Sequence, residues 1–61
     1  MIELEDIKPG MRFEKGEDWV EVISTGKPTC RVCWYCYGNS WIDDIEADEL
    51  VKVCKDWTLA K

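Results

Sequence analysis

Thr29-Cys30-Arg31-Val32-Cys33-Trp34-Tyr35-Cys36-Tyr37 is the stretch that decides how this chain folds. Successive side chains of an extended strand point to opposite faces. The even positions are Cys30, Val32, Trp34 and Cys36, an apolar set. The odd positions are Thr29, Arg31, Cys33, Tyr35 and Tyr37, a mixed and aromatic set. This alternation predicts a strand with its indole turned inward and its phenols outward. Gly38-Asn39 follows as a tight-turn pair, and residues 40–46 return as a strand carrying Trp41, Ile42 and Ile45. The two runs form a hairpin.

On the N-terminal side, residues 4–8 are long enough for one helical turn, and Pro9-Gly10 is a turn signal. Residues 11–15 alternate as a short strand, and Gly16-Glu17-Asp18 is a turn. Residues 19–25 are rich in β-branched side chains and read as another strand, which Gly26-Lys27-Pro28 breaks. On the C-terminal side, Ala47-Asp48-Glu49-Leu50 favours a short helical turn. Val51-Lys52-Val53-Cys54 reads as the last strand, and Trp57 and Leu59 lie in a tail that folds back. The strands lie too close in sequence for crossover helices, so the pairing is expected to be antiparallel. The expected fold is all-β: a single domain over residues 1–61, a small five-stranded barrel with a short helical turn before the last strand.

This order resembles the SH3-like barrels, including the Tudor and KOW types. The resemblance rests on Ile7-Lys8-Pro9-Gly10-Met11-Arg12-Phe13, on Trp19-Val20-Glu21-Val22, on the central hairpin and on Asp48-Glu49-Leu50-Val51. It covers residues 7–54 and concerns architecture. There is no paired tryptophan and no Pro-Ser-Asn-Tyr segment, so recognition of proline-rich peptides is not expected.

Composition narrows the function. The chain has 61 residues, 8 basic and 13 acidic, a formal net charge of −5, and 46% hydrophobic residues. That is too apolar for a disordered segment. No apolar run approaches the roughly 20 residues of a spanning helix. The acidic start, Met1-Ile2-Glu3-Leu4-Glu5-Asp6, is not a secretory leader, so a cytoplasmic location is expected. With no histidine, the commonest general acid/base and metal ligand is missing, and no enzymatic activity is expected. The basic residues are scattered and form no stripe, so direct nucleic-acid binding is not expected either.

Four cysteines, Cys30, Cys33, Cys36 and Cys54, admit several readings. As ordinary residues, Cys30 and Cys36 are small core side chains and Cys33 is partly exposed, with no cofactor. As thiolates, all four would hold zinc tetrahedrally. Against this, Cys33 would point away from its neighbours on a strand. The triple spacing also resembles a ferredoxin-type cluster run, without the proline expected after the remote cysteine. Disulfides joining Cys54 to Cys36 or Cys30 would need an oxidising compartment. A thioredoxin-type pair would need a helix start that is not evident here.

Arg31, Tyr35 and Tyr37 share the face opposite the expected core, with Trp19 or Trp41 beside them. An aromatic patch rimmed by charge is a typical protein-contact surface. Residues 43–49 place five carboxylates in seven positions. Such a run is either a solvated rim or a surface that docks onto a basic partner. The expectation is a non-enzymatic protein-binding module, an adaptor or inhibitor of the kind phages and mobile elements encode. Its anchors are Arg31, Tyr35, Tyr37 and Trp41, and its rim is Asp43, Asp44 and Glu46. The alternatives are a mini-domain stapled by zinc on the four cysteines, an acidic mimic of nucleic acid, and a homodimer joined through an unpaired strand edge.

Overall fold

The computed structural model describes residues 2–60. Five antiparallel strands form one sheet: β1 (Arg12–Lys15), β2 (Asp18–Ser24), β3 (Thr29–Cys36), β4 (Asn39–Glu46) and β5 (Thr58–Leu59). Their spatial order is β4-β3-β2-β1-β5, so the long β4 and the two-residue β5 are the edges and the sheet is not closed. A 3-10 turn at Leu4–Asp6 precedes β1, held by a reciprocal cap in which the Glu3 N–H donates to the Asp6 carboxylate at 3.0 Å. One helix, α1 (Ala47–Asp56), connects β4 to β5.

The decisive alternation holds. β3 is extended, Cys30 and Val32 are buried and Arg31 is exposed. Phe13, Val20 and Val22 lie on the same side of the sheet as Cys30 and Val32. That side is closed by Ala47, Leu50 and Cys54 of α1 and by Ile7. Trp34 packs against this core half-buried, its ring meeting Trp57 edge-on at 5.8 Å and 71°. The tail thus covers Trp34 on the helix side, well away from the phenols.

Residues 51–54 are not a strand. They are the middle of α1, and the last strand lies later, at Thr58–Leu59. Val51 and Val53 favour β structure locally, but Ala47, Leu50 and Cys54 recur at helical spacing. Winding the segment buries those three against the sheet. Asp48 and Glu49 in the first turn and Lys55 in the last complement the helix dipole.

The β3–β4 turn also falls one residue earlier than expected. Cys36 pairs with Asn39, leaving Tyr37-Gly38 as the two-residue loop. Both residues have positive φ, 53° and 81°, the requirement of a type I′ turn. Gly38 meets it without steric cost. Among the described residues no helix is long and apolar enough to cross a membrane.

Candidate functional site

α1 and the N-terminal turn cover one face of the sheet; the other face is open. The cross-strand register shows what stands on it. Trp19 lies opposite Tyr35, and Tyr35 opposite Ser40. Glu21 lies opposite Cys33, and Cys33 opposite Ile42. Arg31 lies opposite Asp44. The rings of Trp19 and Tyr35 are stacked in parallel, 5.2 Å apart and 2° from coplanar. The Arg12 guanidinium lies 4.2 Å from the centre of the Trp19 ring and donates to the Glu21 carboxylate at 3.0 Å. Arg12, Trp19 and Tyr35 therefore form a cation–aromatic–aromatic stack across three strands. Arg31 closes the row with a forked contact to Asp44 at 2.9 and 3.3 Å. That hydrogen bond and its charge hold the Asp44 carboxyl below its ordinary value.

At one end of this face the two hairpin turns stand side by side. Between them lies a cleft of about 500 Å³ lined by Lys15, Glu17, Asp18, Tyr35 and Tyr37 with the two turn glycines. Tyr37 is 93% exposed and sits in the left-handed region, where a non-glycine residue costs roughly 1–2 kcal/mol. Asn or Gly is the ordinary occupant of that position. The fold gains nothing from the phenol there.

The expected site residues divide. Arg31, Tyr35, Asp44 and Glu46 stand on the open face and Tyr37 at its end. Trp41 and Asp43 do not join them, because β4 pairs Trp41 with Trp34 and Asp43 with Val32, on the helix side. A two-residue turn sets odd positions of β3 opposite even positions of β4, so Trp41 could not share a face with Tyr35. Trp19 joins the patch, and so does Arg12, which the sequence reading did not single out. Its signal was the alternation of β1, where Phe13 is buried and Arg12 and Glu14 face the other way.

The cysteines are not gathered into a metal site. Cys30 and Cys54 are buried in the core, while Cys33 stands on the opposite face of the sheet. Among the described residues no three Cys, Asp or Glu side chains converge on a metal-sized site. All four cysteines are free thiols, and the Cys30 thiol donates to the Gly26 carbonyl at 3.4 Å. Burial, then the nearby Cys30, pushes the Cys54 thiol up to about 11. Burial, then hydrogen bonding to Asp18 and its negative charge, also raises the Cys36 thiol. Both remain protonated at neutral pH, which makes them poor nucleophiles. Comparison with family models, with curated proteins and with solved structures returns no match for this chain.

Proposed function

We propose that this protein is a non-enzymatic binding module that receives a protein partner on its open sheet face. The observation that carries the reading is Tyr37. A large aromatic side chain is fully presented to solvent at a backbone position that disfavours it, and such local strain concentrates at sites kept for function. Tyr35 and Trp19 continue the aromatic surface from that tip onto the sheet, and Arg31, Asp44 and Glu46 rim it. Aromatic anchors with a polar rim are the usual composition of a binding hot spot. The acidic balance favours a partner with a basic surface, which suits an adaptor or an inhibitor.

The strand order supports reading the sheet as SH3-like. β1 lies between β2 and β5, and a helical segment directly precedes the last strand.

Affinity capture from a lysate of the source organism tests the function. The wild-type protein recovers a partner, and the Tyr35→Ala/Tyr37→Ala double variant, still folded by circular dichroism, does not. Equal recovery by the two proteins contradicts the proposal.

A further inference from the structure

The sheet has one long open edge. β4 is paired only with β3, and its outer side faces solvent over eight residues. The other edge, β5, offers two. Two observations fix which groups of β4 are free. A β-turn bonds its first carbonyl to its fourth N–H, here Cys36 to Asn39, and bonded and unbonded pairs alternate from there. At the far end the Ala47 N–H donates to the Pro28 carbonyl at 2.8 Å, the same parity. Asn39, Trp41, Asp43 and Ile45 therefore bond to β3. Ser40, Ile42 and Asp44 aim their N–H and C=O groups away from the sheet, as Glu46 does its N–H, whereas the Glu46 carbonyl accepts the first bond of α1.

The side chains on that edge are sorted along its length. Trp41 and Ile42, 48% and 58% exposed, occupy the first half. Asp43, Asp44 and Glu46 occupy the second, and β4 carries no basic residue. Asp44 has Arg31 as partner, whereas Asp43 and Glu46 form no ion pair among the described residues. A second copy of this chain is a poor occupant. Self-pairing would set no basic side chain against either acidic run, because β4 carries none, and would join two molecules that each carry a net charge of −5. A cationic strand is complementary.

We infer that β4 receives an extended segment of the partner as a sixth strand. The sheet is antiparallel throughout, and antiparallel pairing is the more stable per residue, so that segment runs opposite to β4. Its N-terminal half is then basic, facing Asp43, Asp44 and Glu46, and its C-terminal half apolar, facing Ile42 and Trp41. Main-chain bonds supply affinity and the charge order supplies direction. This rests on the partner-binding function proposed above and specifies the partner's chemistry.

The probe is a capped peptide, Lys-Lys-Lys-Val-Thr-Val-Thr, added to the 15N-labelled full chain. Amide hydrogen exchange at Ser40, Ile42 and Asp44 slows by roughly tenfold or more, while Trp41 and Asp43 are unchanged. A Glu-Glu-Glu counterpart and the reversed sequence give no such protection. Ile42→Pro removes an N–H aimed at solvent, a substitution an edge strand tolerates, and it abolishes the effect with the circular dichroism spectrum retained. The inference is overturned if the three amides stay unprotected, or if the Glu peptide protects them equally. It is also overturned if they become protected with rising protein concentration alone, which identifies a second copy. Loss of partner capture in the Tyr35/Tyr37 variant is independent of these amides, so the edge can fail while the open-face reading stands, and the reverse.

Discussion

The two faces of the sheet are built from the same strands and are covered to different extents. On the helix side, Phe13, Val20, Val22 and Val32 are sealed by Leu50, Cys54 and Ile7, with exposures of 2% or less. On the other side Trp19, Cys33 and Tyr35 are only half covered and Ile42 is exposed. A 61-residue chain buries only about 60% of its unfolded surface, so one helix suffices for one face. Stability resides in the first face. The second carries aromatic mass that the fold leaves uncovered.

The largest effect is expected on the sealed face. Leu50→Ala leaves a cavity under α1, and a fully buried leucine truncated in this way loses about 2–5 kcal/mol. In a domain this small that approaches the whole stability, and urea titration by circular dichroism will show a lost or strongly shifted transition.

A smaller effect follows from Cys54 on the same face. Its folded-state pKa of about 11 lies above the ordinary thiol value of 9.0, so the folded protein holds the proton more tightly than the unfolded chain does. The stability tied to this thiol is intact below about pH 9 and falls as the pH rises toward 11. Cys54→Ala removes that loss. The difference between wild type and variant in urea midpoint therefore narrows across this window, and a constant difference would contradict the assignment.

On the open face the effects shrink. Tyr35→Ala removes the stack on Trp19, worth about 0.5–1.5 kcal/mol beyond area. A loss comparable to that of Leu50→Ala would move Tyr35 into the core and erase the contrast between the faces.

Much of the sealed face was legible in the sequence. Period-two alternation placed Cys30 and Val32 inward because burial on one face fixes strand register. The helix was not legible from local propensity. Val51 and Val53 argue for a strand, and only the wider spacing of Ala47, Leu50 and Cys54 against an exposed apolar sheet turns the segment into α1. The candidate site was half legible. Arg31, Tyr35 and Asp44 follow from alternation and pairing, but the aromatic character of Trp41 suggests the same patch, whereas cross-strand parity sends it to the helix side. Tyr37 was expected on the strand. It occupies the turn instead, because the pairing of Cys36 with Asn39 leaves it in the position that asparagine would fill more readily.

That position gives the most direct test of whether the open end serves binding or folding. Tyr37→Asn supplies the residue a type I′ turn favours. The expected result is a stability gain of about 1 kcal/mol, a thermal midpoint roughly 4–8 °C higher for a domain this size, together with loss of partner capture. A lower midpoint, or capture undiminished in a more stable variant, would contradict it.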